Sequence, residues 1–344
     1  MLIFEAMSEP LKFALIGCGK IAPRHAAEAQ RAGHLSAVCD IIKERADTLA
    51  LKFGATPYYD IHDLLEKESS LDVVAICTPN GLHASHSIAC LSKGANVLCE
   101  KPLCIHRSEG LEMISAAHKA SKNLLVVKST RYNPILVAIK NYLDQQQWGQ
   151  VYSFQLNCFW NRPSSYYKDS WKGTELDGGT LFTQFSHYID ALLWLLGEIK
   201  HVSGFRKNRS HKDIILSEDS GIAAVELNNG IIGGINWSVN SYQKNMEVSL
   251  TILAEKASVR IGGEYMNQVD YQCTGGLDVK EELMNAANDY GFYKGSMSNH
   301  DKVYENLLKT LKDPSHPFTN ASDGLKTVEA IEMIYNAIPL SNTV

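Results

Sequence analysis

A lysine at the carboxyl end of an apolar strand can bind a substrate hydroxyl and share its proton. Lys101 has that position, because the run Asn96–Cys99 leads into Glu100-Lys101-Pro102. Upstream, the run Phe13–Ile16 leads into Gly17-Cys18-Gly19-Lys20-Ile21-Ala22, a GxGxxA pattern. In such a pattern the first glycine permits a tight turn and the second lets the backbone approach a pyrophosphate. The small third residue lets the next helix pack on the strand. The free N–H groups and positive dipole end of that helix then face the phosphates. Asp40 follows the run Ala37–Cys39, 23 residues after Gly17, where an acid is placed for ribose hydroxyls. Ile41 and Ile42 come next, with no arginine for a 2′-phosphate, so the pattern favours NAD over NADP. Thr78, Pro79 and Asn80 close the run Val73–Cys77 on the sheet edge where ligands bind, and are candidate cofactor contacts together with His83 and Glu100. His83 and His86 are spaced to share a metal, but no acidic or cysteine partner stands near them in sequence, and no metal is expected.

These residues need a frame. Over residues 11–130, runs that are apolar throughout alternate with segments of helical period. Such runs imply strands buried on both faces, and the alternation predicts a doubly wound α/β Rossmann domain. From 131 to 338 the pattern changes to an α+β domain. A helix is expected over 135–146. Successive strand runs follow at 151–158, 202–207, 221–227, 230–239, 248–254 and 258–261, interrupted by a helix over 180–196. Asn228-Asn229-Gly230 is a hairpin signal, and the series predicts a large, mostly antiparallel sheet. Residues 262–298 read as irregular, and helices over 301–311 and 323–337 close the chain.

Composition narrows the function classes. The 344 residues are 45% hydrophobic and 21% charged, and 33 Lys plus Arg stand against 38 Asp plus Glu, for a net charge of −5. That is an ordinary globular balance, with no basic domain to hold nucleic acid and no apolar run long enough for a membrane helix. The eight cysteines form no CxxC pair, which fits reduced thiols in a cytoplasmic protein.

GCGKIAPRH, Asp40, CTPN with His83, EKP and the Arg131-Tyr132-Asn133-Pro134 step occur in this order, followed by GGTLFTQFSHYID. From about residue 12 to 338 the chain resembles the glucose–fructose oxidoreductase / inositol dehydrogenase (Gfo/Idh/MocA) family. The resemblance implies an N-terminal Rossmann domain and a C-terminal domain whose open sheet serves substrate binding and contacts between copies, in a homodimer or homotetramer. It implies that Lys101 and His187 contact the hydroxyl being oxidised, with Arg131, Tyr132, Thr183 and Gln184 near the substrate. The chain departs from the family's GGxLxDxGxH pattern: Thr183 replaces the aspartate and Phe185 the following glycine. On one continuous helix, Thr183 and His187 would share a face, with Asp190 beside His187.

CFWNR, WKGTELDGGTLFTQFSHYID, EDSG and NDYGFYKGSMSNH resemble the branch of UDP-N-acetyl-2-amino-2-deoxyglucuronate dehydrogenases. Those enzymes oxidise a sugar 3-hydroxyl during surface-polysaccharide synthesis. The residues point independently to an anionic substrate. Between Asn157 and Gly179 lie Trp160, Asn161, Arg162, Tyr166, Tyr167, Lys168, Trp171 and Lys172. A diphosphate and a carboxylate need cations, and rings can pack on sugar or uracil faces. The alternatives are a dehydrogenase for another sugar or cyclitol, and a nucleotide-binding scaffold without turnover. The pair Lys101 and His187 speaks against the scaffold.

Overall fold

The computed structural model describes residues 10–280, 287–289, 294–297, 299–313 and 319–340. Its first half alternates strand and helix: β1 (Lys12–Ile16), α1 (Ala22–Ala32), β2 (His34–Cys39), α2 (Lys43–Phe53), β3 (Thr56–Tyr58), α3 (Ile61–Lys67), β4 (Val73–Ile76), α4 (His83–Ser92), β5 (Asn96–Cys99), α5 (Arg107–Ala120) and β6 (Leu124–Val126). The six strands pair in parallel in the order β3-β2-β1-β4-β5-β6. That is the strand order of dinucleotide-binding sheets, whose ligand crevice opens where the order reverses, beside β1 and β4. β3 was not expected. It is a three-residue edge strand containing Pro57 and not fully buried, so it carries no apolar run.

The second half contains α6 (Pro134–Asp144), β7 (Val151–Phe159), α7 (Ser164–Tyr167), α8 (Ser186–Leu196), β8 (Ile199–Lys207), β9 (Ser220–Leu227), β10 (Ile232–Ser238), β11 (Glu247–Ala254), β12 (Ala257–Gly262) and β13 (Gln268–Cys273). Seven strands form a sheet in the order β13-β12-β11-β7-β10-β9-β8, antiparallel except where β10 runs parallel to β7. The hairpin at Asn228-Asn229-Gly230 joins β9 to β10, with Gly230 at φ +84. β13 corrects the irregular reading of 262–298. Its sequence QVDYQC is half exposed and mostly polar, which hides an edge strand from periodicity. A short pair, β14 (Ala287–Asp289) and β15 (Lys294–Met297), lies in the same stretch.

Alternate residues of β1 feed two cores. Phe13 and Leu15 join the face covered by α1, α2 and, late in the chain, Val303, Tyr304 and Leu307 of α9 (His300–Lys312). Ala14 and Ile16 join a core continuous with the inner face of the second sheet, which includes Phe154, Leu156, Ile235, Trp237, Leu250 and Ile252. The last helix, α10 (Ala321–Ala337), packs against α5 and α8. The two final helices therefore return to the first half of the molecule.

The helix expected over 180–196 is broken. Leu181–Phe185 forms a π-helical turn and α8 begins at Ser186. Thr183 and His187 are therefore not α-helical i,i+4 neighbours, and such turns occur frequently at functional sites. A buried ion cluster anchors α8. Asp190 accepts from Lys128 Nζ at 2.6 Å and from Arg131 at 2.8 and 2.9 Å. Burial alone would raise the Asp190 carboxyl, but the two cations hold it at about 2.

Candidate active site

The cofactor end begins at the turn after β1. Gly17 has φ +95, and a Cβ there would lie 2.6 Å from the Cys77 backbone, so a side chain is excluded. Gly19 differs: a Cβ there would meet nothing within 4 Å. The protein itself leaves that space open, as a backbone approach to pyrophosphate requires. Ala22 is fully buried and lets α1 sit close to the sheet. α1 has no side-chain cap and no acid in its first turn, so the positive end of its dipole faces the turn at Lys20 and Ile21, although the Ala22 and Arg24 N–H groups bond the Gly19 and Ile21 carbonyls and Pro23 has none. At the end of β2, Asp40 accepts from the backbone N–H of Cys18 and of Ile42, both at 2.8 Å, which holds its carboxylate at the glycine turn. These features fit a dinucleotide.

Two expected contacts instead tie loops together. Asn80 is buried, and its amide donates to the Asp177 carbonyl and to Thr183 Oγ1, both at 2.9 Å. His83 places Nδ1 2.6 Å from the Pro102 carbonyl and Nε2 2.9 Å from that of Thr78. Its ring thus fixes the loops after β4 and β5, which contain Thr78, Pro79 and Lys101.

Lys101 stands just beyond β5, and the Lys101–Pro102 bond is cis. Its Nζ donates to the Thr183 carbonyl at 3.0 Å. Burial lowers the Lys101 ammonium, while the Glu100 and Asp177 carboxylates oppose the fall. His187, the second residue of α8, lines one cavity with Lys101, Pro102 and Ser186. Burial first, and the Lys101 charge second, push its imidazole well below its usual range, so it is neutral at pH 7. A neutral imidazole beside a lysine suits taking and returning a hydroxyl proton. Thr183, where the family pattern has an aspartate, donates through Oγ1 to the Asp177 carbonyl at 3.2 Å. The position serves as a tie between halves and not as a carboxylate.

The segment after β7 supplies aromatic walls and cations. Trp160 is buried against Phe185, Tyr188 and Tyr265. Asn161 donates to the Ser241 carbonyl and pairs with Asn240. Arg162 is 2% exposed. Its Nε donates to Gln184 Oε1 at 2.7 Å, and Gln184 in turn donates to the Tyr166 hydroxyl at 2.8 Å. Lys172 lies 4.7 Å from the centre of the Tyr166 ring and 5.5 Å from that of Trp171. Burial, then the charge of Lys20, pushes the Lys172 ammonium down to about 8, with Arg162 and Lys101 adding to the fall and Asp177 opposing it. Lys168 is exposed. Arg131 and Tyr132 do not join this group: Arg131 is held by Asp190, and Tyr132 bonds Asn306.

Sequence reasoning missed Asp177, His25 and His300. Asp177 is buried among the cations. Burial raises its carboxyl to about 7, and its Oδ2 accepts from the Gly173 N–H while Oδ1 has no hydrogen-bond partner among the described residues. His25 and His300 both meet Glu100. Each histidine ends a motif noted above, which was the available signal.

Two family models match the chain: an oxidoreductase family with an NAD-binding Rossmann fold over residues 11–128, and the GFO/IDH/MocA C-terminal domain over residues 136–260. The chain belongs to the Gfo/Idh/MocA family of oxidoreductases. As a member of that family it is an NAD-dependent oxidoreductase that acts on a CH–OH group. It is similar to the WlbA dehydrogenase of Bordetella pertussis, solved with NADH and UDP-GlcNAcA, at 30% identity and a TM-score of 0.85 over 97% of this chain and 100% of that one. The WlbA dehydrogenase of Chromobacterium violaceum, solved with the same two ligands, is 32% identical over 100% of both chains, also with a TM-score of 0.85. D-glucoside 3-dehydrogenase of Escherichia coli is 28% identical over 257 residues, 70% of this chain and 72% of that protein.

Proposed function

We propose that this Gfo/Idh/MocA enzyme oxidises the 3-hydroxyl of a UDP-linked N-acetylhexosaminuronate to the 3-keto sugar, for surface-polysaccharide synthesis. The observation that carries the reading is the cluster of cations around the half-buried Lys172, where the charges of Lys20, Arg162 and Lys101 bear on its ammonium and Asp177 is the acid that opposes them. An uncharged sugar would leave that charge uncompensated, whereas a diphosphate and a carboxylate match it. The similarity to two WlbA dehydrogenases solved with UDP-GlcNAcA supports the same substrate class.

In this reading residues 11–130 hold NAD through Gly17, Gly19, Lys20, Ile21 and Asp40, and residues 131–338 present the sugar. NAD, when bound, accepts the hydride from the carbinol carbon. Lys101 donates a hydrogen bond to the reacting oxygen, and neutral His187 takes the hydroxyl proton. Trp171 and Tyr166 wall the pocket, and Lys172 meets an anionic group. Remote charge contacts fix the geometry of the reacting carbon, so truncated sugars lose turnover as well as affinity.

The enzyme acts as a homodimer or homotetramer through the outer face of the second sheet. Phe205, Ile222, Ile232 and Leu253 share that face in register and are 72%, 52%, 60% and 44% exposed. A second copy of the same face would cover them. Among the described residues no helix is long and apolar enough to cross a membrane. All eight cysteines are free, which supports a cytoplasmic location.

The substrate test is single-turnover absorbance at the NADH band, with products identified by mass spectrometry. UDP-N-acetylglucosaminuronate reduces bound NAD, UDP-N-acetylglucosamine is poorer, and free N-acetylglucosamine is inert. Equal rates for the uronate and the free sugar would reject this substrate. They would favour instead a neutral-sugar dehydrogenase, the reading to which the likeness to D-glucoside 3-dehydrogenase points.

A further inference from the structure

Three segments far apart in sequence meet at one carboxylate. GCGKIAPRH ends on His25, NDYGFYKGSMSNH ends on His300, and Glu100 immediately precedes Lys101. Glu100 Oε1 lies 2.9 Å from His25 Nε2 and 3.4 Å from His300 Nε2, and its Oε2 accepts the Lys101 backbone N–H at 3.0 Å. His25, Glu100 and His300 are 0%, 8% and 3% exposed. The two imidazoles stand edge to face with centroids 5.0 Å apart, and the Tyr304 hydroxyl lies 3.0 Å from His25 Nδ1. His300 Nδ1 has no hydrogen-bond partner among the described residues, so Glu100 is the described polar contact of that ring.

Burying a carboxylate is costly unless donors surround it. An ionised carboxylate only accepts, so each Nε2 facing it carries a hydrogen. The donors come from α1 and α9, two elements that close one face of the first sheet. Hydride and proton transfer use no atom of this arrangement, but its nearest chain neighbour is Lys101.

We propose that His25 and His300 are positioning residues: they fix Glu100 as an anion against the Lys101 backbone and thereby keep the Lys101 side chain cationic at the reacting hydroxyl. The inference rests on Lys101 as the oxygen-binding group of the reading above. Two acids favour the Lys101 ammonium, Glu100 and Asp177, while burial first, and the charges of Arg162 and Lys172, oppose it; His83 and His187, the imidazoles that also face it, are lowered by burial and bring no charge at pH 7. Burial would raise the Glu100 carboxyl, but the bonds from His25 and His300 hold it well below its usual range. Without them Glu100 takes up a proton or turns away, and Asp177 alone faces the cations.

The test compares His25→Leu and His300→Leu with His25→Gln and His300→Gln, whose amide nitrogen can still donate where Nε2 did. Lys101 titration is read in the NAD-loaded protein by competitive acetylation with acetic anhydride and mass spectrometry across pH. The leucine variants should lower the Lys101 midpoint by about one pH unit, and the alkaline limb of the kcat profile, where the ammonium is lost, should move down with it. The glutamine variants should recover most of both shifts. If the leucine variants do not fold, Glu100→Gln carries the same expectation. An unmoved midpoint with reduced kcat, or equal behaviour of leucine and glutamine, would overturn the proposal. So would a fall in melting temperature on chelation, because the carboxylate and imidazoles would then be holding a divalent cation. The labelling does not depend on which sugar is turned over. A failed substrate assignment leaves this result intact, whereas normal turnover in Lys101→Met removes the reading beneath it.

Discussion

The Lys101 ammonium donates to the backbone carbonyl of Thr183 across 3.0 Å, joining the loop after β5 to the π-helical turn that leads into His187. The bond is made to a main-chain atom, so it places the lysine without requiring an acid at position 183. Thr183 Oγ1 is then left to tie Asn80 and Asp177 together. The two groups proposed to handle the hydroxyl are thus positioned from opposite halves of the chain.

Replacing either group should therefore act on chemistry more than on cofactor binding. Lys101→Met and His187→Ala should each lower kcat by about 10²–10⁴, while the NAD dissociation constant measured by calorimetry changes little. Near-normal turnover in either variant would reject its role.

Lys172 should impose its own pH limb. Its ammonium titrates at about 8, and only the charged form attracts an anion. The KM for an anionic substrate should rise as pH increases through about 8, with kcat less affected. Lys172→Met should raise KM at pH 7 by about tenfold, the loss of one charge-assisted contact, and should flatten the limb. A limb that persists in Lys172→Met belongs to another group.

Asp177 makes the stability of the fold depend on pH. Its carboxyl titrates at about 7 in the folded protein against a usual 3.8. The folded chain therefore holds a proton that the unfolded chain releases, and stability falls as pH rises from about 4 to about 7. Asp177→Asn keeps an acceptor for Gly173 without the charge. It should melt a few degrees above the parent at pH 8, a difference on the order of a few kcal/mol at most, and near the parent at pH 4. A difference independent of pH, read by scanning calorimetry, would contradict this account.

Much of the molecule was legible before folding. Runs such as Val73–Ile76 and Asn96–Cys99 are apolar throughout because both faces of their sheet are covered, and that pattern survives in one dimension. The glycine turn was legible for a similar reason: Gly17 answers a local steric demand and Asp40 a fixed spacing within one strand–helix–strand unit. Two of the edge strands were not, although β6 and β8 at the opposite edges were. β3 and β13 are held by hydrogen bonds to one neighbour and bury little, so their residues bear no periodic mark.

The site divides along the same line. Sequence by itself determined the residue types, a lysine after a central strand, a histidine in GGTLFTQFSHYID and cations between 157 and 179. Tertiary structure alone decided their partners. Arg131 could have met a substrate anion, but it is held by Asp190. Arg162 could have stood open, but it lies buried against Gln184. His25 and His300 showed no common role until α9 returned to pack beside α1. Hydrogen bonds and charges act over a few ångströms, and folding brings together groups that the chain holds as much as 279 residues apart, the interval from His25 to Tyr304. Local patterning records which face a residue buries, and only the packed chain records what it meets there.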